Sequence, residues 1–279
     1  MKLQTLTLGL FLLLSQLFAF GGNSTDGSSR HRWSPVDSLT YRVEMQGSFS
    51  DGKTPLWLNA NHYGLSSLDE TNGYVRGSIF RPLSADADRR LGLGYGVDVA
   101  IPVNYTSDVV LQQAYVEGRW LHGTLTIGAK EEPMQLKNQL LSSGSQTLGI
   151  NARPVPQIRL ALPDYWTVPL TRGWLHLKGH LAFGMLTDGG WEGNFTAHAH
   201  KYTDDVLYHS KAGYLKIGNE DAFCPWAFEM GLEMVSLFGG KLYYPDGAGD
   251  MIEMKGGTGI KDYWHAVFGG GSDHGEVVY

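Results

Sequence analysis

The chain has 279 residues, of which 37 are glycine, about 13%, against a usual share of about 7%. Its formal charge of −6 at pH 7 argues against a nucleic-acid partner, because such a partner needs a basic surface. The single cysteine, Cys224, cannot form an intramolecular disulfide, and no Cys/His spacing matches zinc. Glycine without a G-X-Y period excludes collagen, and 12% aromatic residues exclude a disordered acidic chain. A β protein rich in glycine and aromatic residues remains.

The N-terminal segment has the features of an export signal. Lys2 precedes an apolar run over residues 6–18, and small residues follow at Ala19 and Gly21. We therefore predict a signal peptide over residues 1–21 and a flexible linker over the Gly/Ser-rich residues 22–38. No later apolar run reaches the roughly 18 residues of a transmembrane helix. The sequence predicts an exported protein that does not cross a membrane with helices.

From Tyr41 onward, apolar and polar residues alternate, as in half-buried strands. In residues 91–101, for example, large apolar side chains alternate with glycine, Asp98 and Ala100. The segment 55–60 is interpreted as a loop. The alternation predicts nine strands, at 39–49, 73–81, 90–101, 108–120, 123–130, 155–163, 173–187, 210–218 and 226–237.

Alternation alone fits a soluble β-sandwich and a transmembrane barrel equally well. Two features favour the barrel. The polar face is rich in glycine and alanine, and the strands have roughly 8 to 15 residues, against about 5 or 6 in soluble proteins and about 9 to 11 for a tilted barrel strand. The predicted fold class is therefore all-β, a transmembrane antiparallel up-and-down β-barrel of the outer membrane over residues 39–279, with the apolar face toward lipid.

The connections follow the same architecture. The first, fifth, seventh and ninth are long, at 50–72, 131–154, 188–209 and from 238 onward, whereas every even-numbered one is short. Outer-membrane barrels have short periplasmic turns and long external loops. If the N-terminus lies in the periplasm, the long connections lie outside the cell and the short ones lie in the periplasm. Counting 55–60 as a strand would reverse this assignment.

The predicted loops carry aromatic and histidine side chains of the kind that recognise sugars. An aromatic ring stacks on the apolar face of a pyranose while polar groups bind its hydroxyls. The alternative is that these rings pack the loops against one another. The candidate carbohydrate-binding residues are Trp57, His62, Tyr63, Trp191, Tyr202, Tyr208 and His209.

Charged residues of both signs alternate with the apolar strand positions. They predict a network of charges that neutralise one another inside the barrel. The alternative is that these side chains select the solute that passes through the barrel. The set consists of Arg42, Glu44, Arg76, Asp98, Arg159, Lys178, Lys216, Glu229 and Glu233.

The sequence contains no convincing arrangement of catalytic residues. Four residues along a strand separate Glu229 from Glu233 by about 13 Å, beyond the roughly 5 to 9.5 Å of paired glycosidase carboxylates. His198 and His200 form a pair that could bind a metal but has no obvious third ligand. No nucleophile-elbow, metalloprotease or phosphate-loop motif has a supportive context. We therefore predict no catalytic residues, no cofactor and no metal site from these patterns.

Five stretches carry a family resemblance. The most specific piece is NARPVPQIR at 151–159. Together they resemble the outer-membrane capsule-assembly family, Wzi, in its branch from gut Bacteroides-type bacteria. The stretches are YRVEMQGSFSDGKTPLWLNANHYGLSSL (41–68), NGYVRGSIFRP (72–82), LSSGSQTLGINARPVPQIRLALPDYW (141–166), RGWLHLKGHLAFGMLTDGGW (172–191) and VLYHSKAGYLKIGNED (206–221).

The resemblance implies a surface lectin that tethers capsular polysaccharide to the cell and has no enzymatic activity. Its implied partners are capsular or other surface polysaccharide, outer-membrane lipid and the barrel-assembly machinery. The alternatives are an outer-membrane channel for small solutes or glycans, and a soluble secreted β-sandwich that binds or processes carbohydrate.

The resemblance also bears on length, because the family is described as an eighteen-stranded barrel and nine strands are half of that. We expect the chain to correspond to the N-terminal half, as a truncated product or a partial sequence. A complete product would instead have to pair with a second half-barrel chain or form a homodimer. Residues 259–268 are expected to form a short helix in the last loop.

Overall fold

The computed structural model describes residues 16–21, 34–135, 138, 142, 147–149, 151–187, 189–219, 226–246 and 250–270. Within them the chain is mostly antiparallel β-sheet. The chain divides into two compact units. The first comprises Met1–Gly118 and Ala129–Pro154, and the second comprises Arg119–Gly128 and Val155–Tyr279.

The helical segments are short: 3-10 turns at Leu56–Asn59 and Leu83–Asp86, α1 (Trp191–Phe195) and α2 (Ile260–Phe268). The strands are longer and make up most of the described chain. They are β1 (Gln16–Gly21), β2 (Thr40–Phe49), β3 (Thr71–Arg81), β4 (Leu91–Val103), β5 (Val110–Trp120), β6 (Gly123–Ala129), β7 (Gln157–Thr167), β8 (Leu175–Met185), β9 (Tyr202–Asp204), β10 (Leu207–Ile217), β11 (Phe228–Phe238), β12 (Lys241–Pro245) and β13 (Met251–Lys255).

In the first unit, consecutive strands are neighbours in the order β1-β2-β3-β4-β5. The register places Glu44 opposite Arg76 and Ser78 opposite Asp98. Residues 16–21, which the sequence assigns to the signal peptide, pair with β2 as β1. Residues 1–15 of the predicted signal peptide and 22–33 of the predicted linker lie outside the described residues.

In the second unit, the larger sheet has the order β6-β7-β8-β10-β11, and a small sheet has the order β13-β12-β9. The segments that form this small sheet were expected to be loops, and that expectation is wrong. These strands have only three to five residues, too few for alternation to reveal. The expected helix at the end of the chain is confirmed: α2 packs against β10 and β11, and Asp262 Oδ2 accepts a hydrogen bond from Gly259 N at 2.8 Å.

The nine predicted strands are confirmed as β2 to β8, β10 and β11. The clearest differences are at β7, which continues to Thr167, and at β10, which begins at Leu207. The β7 register shifts between Leu162 and Trp166, where Pro163 cannot donate a ladder hydrogen bond. Within the segment 55–60, Leu56–Asn59 forms a 3-10 turn, which confirms that the segment is not a strand.

The burial of the two sheet faces is opposite to that of a typical water-soluble sheet. On β2, Val43 and Met45 are 46% and 51% exposed. On β3 and β4, by contrast, Arg76 and Asp98 are 7% and 2% exposed. We call the face with these polar side chains the inner face and the apolar face the outer face. Soluble proteins normally bury apolar side chains and expose charged ones.

The inner face of the first unit has a small hydrophobic core, formed by Leu65, Tyr74, Ala100 and Val110 with Tyr105 against it. Leu65 belongs to the segment between β2 and β3, so this segment folds back onto the sheet. The core therefore joins a predicted external loop to the strands that hold it.

Glycine makes room for large polar side chains on this face. A Cβ atom at Gly94 would lie 2.6 Å from Glu117 Oε1, and one at Gly96 would lie 2.9 Å from Tyr115 Cε1. Real Cβ atoms essentially never approach so closely. The glycines of β4 therefore allow Glu117 and Tyr115 of β5 to lie across its backbone.

Candidate functional site

The inner face of the first unit is organised around Arg76. Its guanidinium donates to Glu44 Oε2 through Nε at 3.1 Å and Nη2 at 2.9 Å, and to Glu131 Oε1 through Nη1 at 2.7 Å. Nη1 also lies 3.7 Å from Asp98 Oδ2, which forms an ion pair with Arg42 at 3.2 Å. We call these five residues the Arg76 cluster. It brings together four of the predicted network residues and adds Glu131.

Two adjacent glutamines fix the position of Glu131. Gln112 Nε2 donates to Glu131 Oε1 at 3.0 Å and to the Tyr63 carbonyl oxygen at 2.9 Å. Gln113 accepts a hydrogen bond from Glu131 N at 2.9 Å and donates to Asp98 Oδ2 at 3.3 Å. The start of the segment after β6 and the segment around Tyr63 are therefore both bound to the inner face of β5.

Lys130 extends the charged surface beside the Arg76 cluster. Its Nζ lies 2.6 Å from Glu117 Oε2, 3.6 Å from Glu132 Oε1 and 5.2 Å from the Tyr115 ring centroid. Burial is the largest single influence and lowers the pKa of Lys130, but Glu132 and Glu117 together outweigh it, so the pKa is raised overall. Lys130 therefore stays positively charged and is held by carboxylates rather than by solvent.

Asn151 joins two of the predicted external loops. Its Oδ1 accepts a hydrogen bond from Gly64 N at 2.9 Å, and its Nδ2 donates to the Ser66 carbonyl at 3.3 Å. Gly64 has φ +81°, and a Cβ atom there would clash with the Arg153 side chain. The NARPVPQIR stretch therefore begins with residues that anchor the segment between β2 and β3.

The inner face of the second unit has a different arrangement, based on tyrosine and lysine. Lys178 Nζ lies 4.7 Å from the Tyr165 ring centroid and 5.0 Å from that of Tyr214. The Tyr214 hydroxyl donates to Glu233. These contacts place two of the predicted network residues around a pair of aromatic rings, where the ammonium interacts with the ring faces.

The remaining network residues lie on the same inner face. Lys216 Nζ is 4.0 Å from Glu229 Oε1 and 5.9 Å from the Tyr165 ring centroid. Arg159 is half-buried on β7, opposite Ala182 of β8. The nine predicted network residues therefore fall into two groups, one in each unit.

In the first unit, the three aromatic and histidine candidates differ in exposure. Trp57 in the 3-10 turn is 61% exposed, whereas His62 and Tyr63 are half-buried. Burial lowers the pKa of His62 and raises the pKa of Tyr63. Trp57 alone among these three offers a broad accessible ring, while His62 and Tyr63 pack the loop onto the sheet.

In the second unit, the loop candidates form small aromatic groups. Trp191 is 39% exposed and stacks on Phe195, with ring centroids 4.9 Å apart. Tyr202 stacks on Tyr243 at 4.7 Å and its hydroxyl shares a 3.0 Å hydrogen bond with His198 Nδ1. One face of each ring is therefore covered, by Phe195 for Trp191 and by Tyr243 for Tyr202, and Trp191 is the more exposed of the two.

The loop positions predicted for Tyr208 and His209 are wrong. Both residues lie in β10, with Tyr208 5% exposed and His209 fully buried. His209 stacks on Phe183 at 4.4 Å, its Nδ1 is 2.9 Å from the Ala182 carbonyl, and Tyr263 of α2 packs on Phe183. Because β10 begins before residue 210, these rings belong to the sheet and present no open face to a sugar.

In the portion of the chain that the structure describes, no group of three or more His, Cys, Asp or Glu side chains is arranged to hold a metal ion. Across the same described ranges, none of the helices has both the length and the apolar composition needed to cross a membrane.

Comparisons with family models, curated proteins and solved structures found no match to this chain.

Sequence reasoning missed the side chains that complete the site. Glu131, Gln112 and Asn151 carry much of its hydrogen bonding. Glu131 and Gln112 belong to no recognisable motif, whereas Asn151 begins the stretch that carries the family resemblance most specifically. The alternation pattern could have placed Gln112 on the inner face, since it follows exposed Leu111 in β5. Glu131 and Asn151 lie outside the strands, where no periodicity applies.

Proposed function

We propose that this protein is embedded in the bacterial outer membrane by its β-strands and binds exported polysaccharide through its long loops, without catalysing a reaction. The observation that carries the membrane part is the burial of the two sheet faces. Large apolar side chains are exposed on alternate positions, as with Val43, Ile101 and Leu160. In the first unit, the charged side chains of Arg76, Asp98 and Glu117 are buried instead. Such a surface suits lipid and is costly in water.

Helix α2 supports the same environment in the second unit. Ile260, Trp264 and Phe268 recur every fourth residue and are 90%, 64% and 65% exposed. They form one exposed stripe, while Tyr263 packs toward the outer face of β8 and β11 through Phe183 and Phe238. A Trp- and Phe-bearing stripe beside an apolar sheet face suits the interface between lipid and water.

The filled inner face of the first unit favours binding over conduction. The segment with Tyr63 and Leu65 folds onto the strands, and Glu131 is bound to Arg76 and to both glutamines. An open channel needs a continuous aqueous path, whereas these contacts place protein over the inner face of this unit.

The polysaccharide part rests on the exposed loop rings and on the sequence resemblance to capsule-assembly proteins. Trp57, at 61%, and Trp191, at 39% with one ring face on Phe195, are the most exposed of the seven candidates. Asn151 and Arg153 belong to the stretch that carries the resemblance most specifically and hold the loop that follows Trp57 in place. A supported loop with an exposed tryptophan is suited to stacking on a sugar ring.

The test is polysaccharide retention on cells that produce Trp57→Ala, Trp191→Ala and the double variant. We expect the double variant to release severalfold more polysaccharide into the medium while remaining in the outer-membrane fraction. Trp226→Ala is the matched control, because Trp226 is 81% exposed and follows a short predicted connection.

Unchanged retention in the double variant would contradict the binding role. Recovery of the protein in the soluble fraction would contradict the membrane location and favour a secreted sandwich. Large conductance in planar bilayers would favour a channel instead.

A further inference from the structure

Three polar residues interrupt the apolar outer face of the second unit. In the strand register, His209 of β10 lies opposite Ser236 of β11, and Lys211 lies in the next outward row, opposite Met234. Every other outward position of β8, β10 and β11 is apolar or glycine. We call His209, Lys211 and Ser236 the outer polar group. On a surface that suits lipid, such residues are costly unless other protein groups cover them.

Helix α2 covers this group. Lys211 Nζ donates to the Val267 carbonyl and lies 5.9 Å from the Phe268 ring centroid. Ser236 Oγ donates to the Ala266 carbonyl at 3.4 Å. The two donors of the sheet therefore meet consecutive carbonyl groups at the C-terminus of the helix.

These contacts satisfy backbone groups that a helix cannot satisfy itself. The last four carbonyls of an α-helix have no partner within the helix. In α2, the His265 carbonyl accepts hydrogen bonds from Gly269 N at 2.8 Å and Gly270 N at 3.0 Å, and the next two carbonyls accept from Ser236 and Lys211. The charge of Lys211 also suits the negative end of the helix dipole. Side chains of the sheet thus provide what water provides at an exposed helix end.

Helix α2 runs along β11 from the end of the strand toward its middle. Tyr263 meets Phe238, the last residue of β11, with ring centroids 5.0 Å apart. One turn later, Ala266 meets Ser236, which lies two residues further into the strand. The start of the helix is therefore nearest the predicted external loops, and its C-terminus is nearest the middle of the sheet.

We propose that α2 is a re-entrant helix, which enters the hydrocarbon layer from the loop end of the strands and lies on their lipid-facing surface, with Lys211 as the residue that seats its C-terminus. This rests on the membrane location in the proposed function and adds a lipid-contacting element that is not a strand. The outer polar group faces the helix instead of lipid, and the exposed stripe of Ile260, Trp264 and Phe268 contacts acyl chains.

The first test measures the depth of two positions of α2 in phosphatidylcholine bilayers. The full chain with Cys224→Ser carries one nitroxide label, at Ile260→Cys or at Trp264→Cys, so that Phe268 keeps its contact with Lys211. The two positions are one turn apart, about 6 Å along the helix axis. Electron paramagnetic resonance compares collisions with oxygen, which concentrates in lipid, and with a nickel chelate, which stays in water. We expect a severalfold higher oxygen-to-nickel ratio at position 264 than at position 260.

The second test removes the seat. Lys211→Met takes the donor from the Val267 carbonyl and adds an apolar side chain to the outer face, so the helix should leave the lipid and the ratio at position 264 should fall severalfold. Lys216→Met is the matched control, because it removes the same charge from the inner face of the same strand, and it should leave the ratio unchanged. If Lys211→Met does not assemble, Ser236→Val should give a smaller fall in the same direction.

A label at Leu232→Cys separates this proposal from the proposed function, because Leu232 is 72% exposed on the outer face of β11. Lipid exposure at 232 with equal ratios at 260 and 264 would reject the re-entrant helix and leave the membrane location standing. Lipid exposure at 232 with an unchanged ratio at 264 in Lys211→Met would reject Lys211 as the seat. Water exposure at 232 in the otherwise unaltered chain would contradict the membrane location itself.

Discussion

Gly179 and Gly213 lie directly opposite each other on β8 and β10, but only one of the two positions has room for a side chain. A Cβ atom at Gly179 would collide with the carbonyl oxygen of Ala212, whereas one at Gly213 would have no atom within 4 Å. Directly opposed residues of an antiparallel pair point to the same face, so the difference is local: the β10 backbone brings the Ala212 carbonyl against Gly179, and no comparable group approaches Gly213. One glycine is required by the backbone packing and the other is not.

We therefore predict that the same substitution destabilises the protein at Gly179 and has little effect at Gly213. Gly179→Ala should destabilise the folded sheet by about 1–3 kcal/mol, because the backbone of β10 must move. Gly213→Ala should change the stability by less than about 0.5 kcal/mol. The measurement is unfolding by denaturant in detergent, followed by the shift between folded and unfolded bands on gels. Equal effects of the two substitutions would show that the strand spacing is not set at Gly179.

The second prediction concerns Arg76, which is 7% exposed and contacts Glu44, Glu131 and Asp98. Arg76→Met keeps much of the side-chain volume but leaves buried carboxylates without their main cation. Removing one partner of a buried ion pair typically costs about 3–5 kcal/mol. We expect a loss of that order in unfolding measurements, and poor assembly in cells.

The control for this substitution is Arg90→Met, at an exposed position before β4. It should change the unfolding free energy by no more than about 0.5 kcal/mol. If Arg76→Met is as stable as Arg90→Met, the Arg76 cluster does not hold the first unit together.

The third prediction is a pH response of the loop between β2 and β3. Burial lowers the pKa of His62 in the folded loop, so the opened loop binds a proton more readily than the closed one. Below about pH 6.5, the ordinary histidine pKa, acidification therefore favours opening, until the folded-state pKa is reached. Hydrogen exchange of the backbone amides near Leu65 should accelerate as the pH falls, after correction for the intrinsic exchange rate.

The matched variant for this loop is His62→Gln, which keeps a polar side chain but does not titrate in this range. Its corrected exchange should be independent of pH between about 5 and 7.5. The same acid-dependent opening in the variant would assign the response to another group.

The fourth prediction concerns Trp264 on the exposed stripe of α2. In bilayers that contain brominated lipids, the protein's tryptophan fluorescence should be quenched, and Trp264→Phe should remove a measurable part of that quenching. Trp57→Phe is the control, since Trp57 is 61% exposed in a predicted external loop and should not be reached by lipid. Quenching that is unaffected by Trp264→Phe would remove α2 from the membrane interface, and absence of any quenching would contradict membrane insertion itself.

The strands could be predicted because their signal is local. Side chains alternate between the two faces with a period of two, so residues 91–101 alone identify β4 and assign Asp98 and Ala100 to one face. The alternation also indicated that β2 carries Arg42 and Glu44 on the side opposite Val43. The polar face of the strands is rich in glycine and charged residues. This composition is typical of strands whose apolar side chains are exposed, and the apolar side chains are exposed in the structure.

The partners of those side chains could not be predicted, because they depend on register and on segments without periodicity. Arg76 meets Glu44 through strand pairing, but it also meets Glu131, which lies 55 positions away in the chain. His209 is buried because β10 starts earlier than the alternation suggested and because Phe183 stacks on its ring.

The glycines show most clearly what the sequence determines and what only the tertiary structure decides. The sequence by itself determined that glycine belongs to an alternating β-sheet, since the alternation is a property of neighbouring residues. It could not distinguish Gly179 from Gly213, which share a face, and it could not show that Gly94 and Gly96 lie against Glu117 and Tyr115. Only the tertiary structure decided which glycines are required, because that depends on whether a carbonyl, a carboxylate or a ring from another strand occupies the space.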